Sequence, residues 1–341
     1  MPLYNQNISS SFSFAWLLFE GLNAFANKTV EHHDSILGKS ANSTVTHVEC
    51  WDDSCSTLLI SLGRKLLFID QSGRIDSLYT ANVQISSWDF VRISHDIVDF
   101  AVDSAKHVYV AYNHIKCVEI LTVSQRSVSH IETVGKCEAV SYKIRYNPSI
   151  RRKQDTNLRP QSFTAARFGL ISAIDIDESR GKRLFVADDV SIKLVDLDRR
   201  VVMALQQTSS RDIQVFGQLI YHNTDSDIVL SVLDDNDGTV SRFLDVVSYD
   251  FTHHNMSRWL RFSVLTPSVL LVNTISDVII WDLREDDYRS MCDVAAVDQG
   301  CELAASYGLD VINDFIFVGD EWQRGAGLRF TQIKGEERQL Q

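Results

Sequence analysis

Proline, glycine, long apolar runs and basic charge are all in short supply in this sequence. The 341 residues include 4 Pro and 15 Gly, far fewer than collagen-like repeats or low-complexity linkers contain. No stretch approaches the roughly 18 apolar residues that a membrane-spanning helix requires. The 33 Lys and Arg are outnumbered by 45 Asp and Glu, and the net charge is −12. We therefore expect neither a membrane span nor a nucleic-acid partner.

The motifs of the common enzyme classes are also missing. The chain contains no GxSxG, HExxH, P-loop or dinucleotide-binding pattern, and its cysteines lack the CxxC or Cys/His spacing of zinc sites. We therefore predict no cofactor, and no motif identifies a catalytic residue. What the chain does have is a hydrophobic fraction of 45%, which is enough for a sizeable core.

The N-terminal segment has the layout of a secretory signal peptide. An apolar run at residues 11–19 is followed at residues 24–26 by the small-x-small pattern Ala-Phe-Ala that signal peptidase accepts. We expect residues 1–26 to be removed, and the alternative is a buried helix at the start of the fold. Three Asn-x-Ser/Thr triplets predict N-glycosylation, at Asn27, Asn42 and Asn255.

The six cysteines are arranged as three pairs of sequence neighbours. The expected disulfides are Cys50–Cys55, Cys117–Cys137 and Cys292–Cys301. Six thiols allow 15 connectivities, so this pairing is favoured by proximity alone, and free thiols are the alternative. Together with the leader and the glycosylation triplets, the pairing predicts a secreted, extracellular protein.

Most of the chain consists of short runs of β-branched and aromatic residues, separated by Asp, Asn, Ser and Gly. Such runs are typical of strands, and residues 172–208 contain four of them in succession. Residues 98–135 repeat the same order, and weaker copies follow at a spacing of roughly 40–50 residues. We therefore predict an all-β fold, a six-bladed β-propeller with four antiparallel strands in each blade.

The repeats divide residues 27–341 into units. The expected blades cover residues 43–82, 94–136, 170–208, 211–256, 257–299 and 302–334. The last unit has room for three strands, so residues 29–37 are predicted to supply its fourth strand and close the propeller. Residues 137–169 form a basic insertion, interpreted as a solvated surface loop or as a docking loop for an acidic partner.

Two repeats carry a resemblance to a known group of proteins. The segments "AIDIDESRGKRLFVADDVSIKLVDLD" and "FAVDSAKHVYVAYNHIKCVEIL" resemble the repeats of NHL-type and YWTD-type six-bladed propellers. Residues 185–188, Phe-Val-Ala-Asp, take the place of the YWTD tetrapeptide. In this interpretation Asp188 and Asp189 end one strand and begin a turn, where Asp caps nearby backbone N–H groups.

Candidate site residues precede or begin the predicted inner strands. Propeller enzymes place acidic residues and His at the mouth of the central tunnel, often around calcium, which prefers oxygen ligands. The equivalent positions here are His47 with Glu49, His95 with Asp96, and Arg211 with Asp212. Glu49, Asp96 and Asp212 are therefore the candidate metal ligands. The segment "LDDNDGTV" at residues 233–240 is interpreted as a hairpin turn and not as a calcium loop.

These patterns favour a secreted module that binds a protein or small-molecule ligand at the loop face around the tunnel. The first alternative is a secreted calcium-dependent hydrolase or lyase with its site at the tunnel mouth. The second is a propeller that belongs to a larger receptor or matrix protein. The fold does not discriminate between them, because propellers host both enzymes and binding modules.

Overall fold

A computed structural model shows an all-β protein. The structure describes residues 29–36, 45–52, 57–70, 90–92, 95–112, 114–124, 127–138, 159–224, 226–236, 239–251, 261–273, 278–290, 306–312, 315–322 and 325–334. Within these ranges the chain forms 25 strands in six antiparallel sheets, numbered I to VI here. No helix in these ranges is long and apolar enough to cross a membrane.

Each sheet is built from strands that are consecutive in the chain, except for β1 (Thr29–Ile36), which joins the last one. Sheet I contains β2 (Val45–Cys50), β3 (Thr57–Leu62), β4 (Lys65–Asp70) and β5 (Phe90–Arg92). Sheet II contains β6 (Ile97–Val102), β7 (His107–Tyr112), β8 (Val118–Ser124) and β9 (Ser127–Val134). Sheet III contains β10 (Gln161–Ser162), β11 (Ile171–Asp177), β12 (Arg183–Asp188), β13 (Ile192–Asp196) and β14 (Val201–Gln206).

The second half of the chain continues the pattern. Sheet IV contains β15 (Ile213–Phe216), β16 (Leu219–Asn223), β17 (Asp227–Asn236) and β18 (Thr239–Asp250). Sheet V contains β19 (Arg261–Thr266), β20 (Val269–Asn273), β21 (Val278–Asp282) and β22 (Asp287–Ser290). Sheet VI contains β23 (Ser306–Ile312), β24 (Phe315–Trp322) and β25 (Gly325–Lys334), together with β1. Asn236 pairs with Thr239 across the β17–β18 connection, so the predicted hairpin is confirmed there.

The prediction of six blades with four strands in each one is wrong. Five sheets have four strands, and sheet III has five because β10 pairs with the outer strand β14. β10 comes from the predicted insertion, residues 137–169, and its Gln-Ser sequence has no strand pattern. Its position follows from packing instead, because Phe163 and Phe168 just after it are buried in the core between sheets II and III.

The N-terminal strand closes the ring. β1 pairs with β25 along its whole length, from Thr29 opposite Lys334 to Ile36 opposite Gly327. The prediction that residues 29–37 supply the missing strand of the last sheet is therefore confirmed. The inner strands of the six sheets contact one another in order around the ring, and β23 contacts β2; they are β2, β6, β11, β15, β19 and β23. This closed circle of inner strands is the arrangement of a β-propeller.

Hydrophobic cores fill the spaces between neighbouring sheets. Trp281 of sheet V is fully buried and packs with Tyr221 and Leu230 of sheet IV. Leu184 and Val186 of sheet III pack in the same way with residues of sheet II. Sheets I to V thus bury their apolar residues against neighbouring sheets, and the inner strands surround the axis.

Candidate functional site

Two of the predicted metal candidates lie at one end of the molecule, and Glu49, the fifth of the six residues of β2, lies toward the other end. Strands alternate in direction within each sheet, so every inner strand begins at the end where the second strand connects to the third. We call this end the entry face, marked by the beginnings of β6, β11, β15 and β19. It is the end to which the predicted candidates Asp96 and Asp212 belong.

Carboxylates connect the inner strands of neighbouring sheets. An inner strand has no partner strand on its axial edge, and buried backbone N–H groups need an acceptor. In three places an Asp of one inner strand or its approach supplies that acceptor to the next sheet. The pairs are Asp99 Oδ2 with Ile174 N at 2.9 Å, Asp175 Oδ2 with Val215 N at 2.6 Å, and Asp212 Oδ2 with Phe262 N at 2.8 Å. These hydrogen bonds hold adjacent sheets in register, and those that go to an ionised carboxylate are stronger than neutral ones.

Arg261, the first residue of β19, bridges sheets on opposite sides of the axis. Its Nη1 lies 3.2 Å from Asp212 Oδ1 and 3.5 Å from Asp99 Oδ2. Its Nη2 donates to the backbone oxygen of Ser172 in sheet III, at 2.9 Å. Sheets II and V are three places apart in the ring of six, so this one side chain spans the axis. The guanidinium therefore compensates two carboxylates whose side chains are only 3% and 4% exposed.

Sheet I contributes His47 and Glu49 to the same group. His47 Nε2 lies 3.2 Å from Glu49 Oε1, and its Nδ1 lies 3.4 Å from Asp99 Oδ1. The ring also meets Phe100 edge-on at a centroid distance of 4.9 Å. The imidazole is thus held between two carboxylates and links sheet I to sheet II. We call these side chains, with those of Asp175, Asp212 and Arg261, the axial cluster.

Asp175 is a carboxyl group of the axial cluster with a raised pKa. Burial raises the pKa of Asp175 to about 8, and the nearby charge of Glu49 raises it too. The backbone N–H groups of Val215 and Ile176 and the imidazole of His47 oppose this shift. Asp175 is therefore mainly protonated at neutral pH. Among the described residues of the axial cluster, the other three carboxyl groups, those of Glu49, Asp99 and Asp212, outnumber the two basic groups, the Arg261 guanidinium and the His47 imidazole.

Two of the three predicted metal candidates belong to the axial cluster and the third does not. Glu49 and Asp212 lie in it, whereas the Asp96 side chain is 56% exposed and pairs with Arg64 Nε at 3.1 Å. His95 is exposed beside the ring of Tyr112, and the Arg211 backbone N–H donates to Asn223. Within the described residues no group of three or more His, Cys, Asp and Glu is arranged to hold a metal ion. The calcium site therefore gains no support from this part of the chain.

Sequence reasoning missed Asp99, Asp175 and Arg261. The two Asp residues stand in the segments "VDFAVD" and "AIDID", whose apolar-x-Asp pattern was attributed to the repeat alone. Their spacing within the inner strands was a usable signal, because acids in a strand that surrounds a common axis approach one another. Nothing around Arg261 distinguishes it from a surface arginine at the start of a strand.

The Asp188–Asp189 pair at the entry face is a turn, as predicted. Asp188 is buried and accepts hydrogen bonds from the backbone N–H groups of Gly169, Val190 and Ser191 at 2.7–2.8 Å. Lys193 Nζ lies 2.5 Å from Asp188 Oδ2 and compensates its charge. A Cβ at position 169 would lie 2.2 Å from Asp189 Oδ1, so the close approach of the loop requires glycine.

A second polar cluster in sheet IV has the composition of a catalytic triad but not its geometry. His222 Nε2 lies 3.1 Å from Ser231 Oγ, which in turn donates to Asp245 Oδ1 at 2.7 Å. In a triad the carboxylate would orient the other imidazole nitrogen. His222 and Ser231 are also fully buried, and burial lowers the pKa of His222 to about 4. The contacts tie β18 to the rest of the sheet and leave no room for a substrate.

One predicted disulfide is present. Cys117 and Cys137 are bonded, with their Cα atoms 4.9 Å apart, at the open end of the β8–β9 hairpin. Cys50 is also disulfide-bonded. The remaining predicted cysteines, Cys55, Cys292 and Cys301, lie outside the described residues. The glycosylation candidates Asn27, Asn42 and Asn255 and the leader at residues 1–26 lie outside them as well.

Comparisons with known proteins identify the fold. No protein-family model and no curated protein matches the sequence. Among solved structures, an auxiliary nutrient binding protein from Bacteroides thetaiotaomicron VPI-5482 is 8% identical, with a TM-score of 0.57 over 90% of this chain and 77% of that one. A luciferin-regenerating enzyme is 10% identical, with a TM-score of 0.53 over 90% of this chain and 96% of that one. At such identities the likeness concerns architecture only, and the NHL-type or YWTD-type assignment stays a prediction. The chain has a β-propeller fold.

Proposed function

We propose that this protein is a secreted β-propeller that binds, at the axial cluster, a protein or small molecule carrying a positively charged group. The observation that carries the proposal is the axial cluster, in which, among the described residues, the carboxyl groups of Glu49, Asp99 and Asp212 outnumber the basic groups of Arg261 and His47. Inner-strand segments of five sheets contribute to it, through Glu49, Asp99, Asp175, Asp212 and Arg261. Excess negative charge at such a point favours an ammonium or guanidinium ligand.

Glu49 supplies the carboxylate that, in this proposal, contacts the positively charged group of the ligand. Its side chain is 22% exposed, compared with 3% for Asp99 and 4% for Asp212. Asp99 and Asp212 each accept backbone hydrogen bonds and contact Arg261, so their role is to hold the inner strands and the guanidinium in place. The cluster is thus rigid at its base and accessible at Glu49, which suits recognition of a charged group by a preformed site.

Secretion is supported by the N-terminal leader pattern and by the Cys117–Cys137 disulfide, because disulfides persist mainly in oxidising compartments. The Bacteroides protein with the same fold is described as a nutrient binding protein, which is compatible with a ligand-binding role. No observation in the described residues favours the calcium-dependent hydrolase or lyase.

The test is a binding comparison on protein expressed from the full chain in insect cells. The probes are spermidine, agmatine and an Arg-rich peptide, with citrate and succinate as anionic counterparts, measured by calorimetry at pH 7. We expect cationic probes to bind and Glu49→Gln to weaken them by about tenfold, through loss of a charge-assisted contact. Asp96→Asn is the matched control, since Asp96 is an exposed acidic residue outside the axial cluster, and it should leave binding unchanged.

Two results would contradict the proposal. Tighter binding of the anionic probes would show that the axial cluster does not select a positively charged ligand. Equal effects of Glu49→Gln and Asp96→Asn would show that the axial cluster is not the binding site. For secretion, we expect the protein in the culture medium with Asn27 as its first residue. Retention of the protein inside the cells, with residues 1–26 intact, would overturn the proposal that it is secreted.

A further inference from the structure

In the part of the chain that the structure describes, one carboxyl group of the axial cluster has no basic side chain in contact with it. This group belongs to Asp175. Each of the other three contacts a His or Arg side chain; they belong to Glu49, Asp99 and Asp212. A buried carboxylate without a counter-ion is costly, and such a group keeps its proton instead. Of the four groups, Asp175 is thus the one that a cationic ligand can pair with without displacing a described basic side chain.

The side chain of Asp175 is held in one orientation by the backbone. Its Oδ1 accepts the N–H of Ile176 at 2.7 Å, and its Oδ2 accepts the N–H of Val215 in sheet IV at 2.6 Å. Each oxygen of a carboxylate has two lone pairs, so both oxygens keep the capacity to accept one more hydrogen bond. The residue is half-buried and keeps some exposed surface. Asp175 is therefore a preformed acceptor for a donor that a ligand brings.

The charged groups around Asp175 come from inner strands on several sides of the axis. Glu49 and His47 of β2 lie close enough for their charges to shift the pKa of Asp175, the first upward and the second downward. The inner strands on either side of β11 bring two further carboxyl groups, which both contact the guanidinium of β19; they are Asp99 of β6 and Asp212 at the approach to β15. Glu49 is therefore the acidic neighbour with which Asp175 is electrostatically coupled.

Strands β7 and β12 also pack against β11 and leave Asp175 uncompensated. The residue of β12 directly opposite Asp175 is Phe185, which is apolar. None of the ionisable side chains of these two strands contacts Asp175; they are Arg183 and Asp188 of β12 and His107, Tyr109 and Tyr112 of β7. A positive charge beside Asp175 has to come from elsewhere.

A cation and a proton compete for Asp175. Burial, together with the charge of Glu49, raises the pKa of Asp175 to about 8, so at pH 7 the proton stays on the carboxyl group. A positive charge within about 4–6 Å of a carboxyl group acts in the opposite direction and favours its ionised form. A cationic group that contacts Glu49 and lies beside Asp175 therefore lowers the pKa of Asp175. Binding of the cation and loss of the proton are then coupled.

We propose that the positively charged group of the ligand bridges Glu49 and Asp175 and takes the place of the Asp175 proton. As the ligand binds, the O–H bond of the carboxyl group breaks, the proton passes to water, and the carboxylate accepts a hydrogen bond from the ammonium or guanidinium. This inference rests on the function proposed above and adds to it a second contact residue and a pH dependence. Because the proton has to leave, the affinity for the cation increases with pH up to about 8.

The test is calorimetric titration with N-acetylargininamide, whose guanidinium stays charged at every pH used. Titration at pH 7 in phosphate and in Tris, two buffers that differ in their enthalpy of ionisation, counts the protons released for each bound probe. The variants are Asp175→Asn and, as the matched control, Asp177→Asn. Asp177 stands two positions further along β11 on the same face, is also half-buried, and accepts the Ser179 N–H outside the axial cluster.

We expect the wild-type protein and Asp177→Asn to release close to one proton for each bound probe at pH 7, and to bind about tenfold more tightly at pH 9 than at pH 7. Asp175→Asn should release almost no proton and lose this pH dependence. A measurement on the wild-type protein alone holds even if a variant folds poorly. Its carbon-13 NMR spectrum should contain a carboxyl group that titrates near pH 8, and saturation with the probe should abolish that titration.

The outcomes separate this inference from the function on which it rests. Suppose that the probe binds and that Glu49→Gln weakens its binding. Absence of proton release, or release that persists in Asp175→Asn, would then overturn the inference and leave the proposed function standing. A probe that binds the wild-type protein neither at pH 7 nor at pH 9 would overturn both.

Discussion

Replacing Arg261 with Met tests whether the guanidinium of Arg261 stabilises the buried carboxylates at the propeller axis. The Met side chain keeps much of the apolar stem of arginine and removes the guanidinium that contacts Asp99 and Asp212. Both carboxylates are almost fully buried, so the variant leaves two charges without their shared cation. Breaking a buried ion pair by removing one partner costs roughly 3–5 kcal/mol.

Two features of the structure place the expected loss near the lower end of that range. Arg261 itself is 19% exposed, so water already screens part of the interaction. The carboxylates also keep their backbone donors, from Phe100 and Ile174 on Asp99 and from Ile213 and Phe262 on Asp212. We therefore expect Arg261→Met to lower the free energy of unfolding at pH 7 by about 3 kcal/mol.

The assay is urea unfolding followed by tryptophan fluorescence, with Arg64→Met as the control. Arg64 pairs with Asp96 at a similar distance, but both side chains are more than half exposed, and such pairs contribute less than about 1 kcal/mol. Adding Asp212→Asn to Arg261→Met should restore part of the loss, because one of the two buried charges that Arg261 contacts is removed. A loss for Arg261→Met no larger than that for Arg64→Met would refute the reasoning.

Two further predictions concern Asp175 and Asp188. The pKa of Asp175 rises from 3.8 to about 8 on folding, so between these values the unfolded chain releases a proton that the folded protein keeps. Stability should thus fall as pH rises through this window, and Asp175→Asn should reduce the difference between urea unfolding at pH 5 and pH 8; an unchanged difference would contradict the shift. Asp188→Ala leaves three backbone N–H groups and the Lys193 ammonium without their acceptor and should cost about 4 kcal/mol in the same assay. Asp189→Ala, which loses the bond from the Leu170 N–H, should cost about 1 kcal/mol, and equal losses would count against the assigned role of Asp188.

The strands and the closing of the ring could be predicted from the sequence because both depend on local patterns. Runs of β-branched residues predict strands, and a last unit with three strands requires a fourth from elsewhere, which β1 supplies. β10 could not be predicted from the sequence, because its two polar residues carry no strand pattern. It forms because Phe163 and Phe168 anchor the neighbouring chain in the core, and that is a tertiary effect.

The axial cluster was only partly predictable for a related reason. Glu49, Asp96 and Asp212 were all predicted from segments expected to lead into inner strands, and in the structure Glu49 lies within β2. What separates Asp96 from the cluster is the direction of its side chain, toward Arg64 and solvent. Arg261 meets Asp212 from a position 49 residues away in the sequence, so only closure of the ring brings the two together.

A crystal structure of the protein soaked with the cationic probe that binds most tightly tests the central claim most directly. The account predicts the ammonium or guanidinium group in the axial cluster, at about 3 Å from a carboxylate oxygen of Glu49. Arg261 should keep its contacts with Asp99 and Asp212. A probe bound anywhere away from the axial cluster would contradict the account.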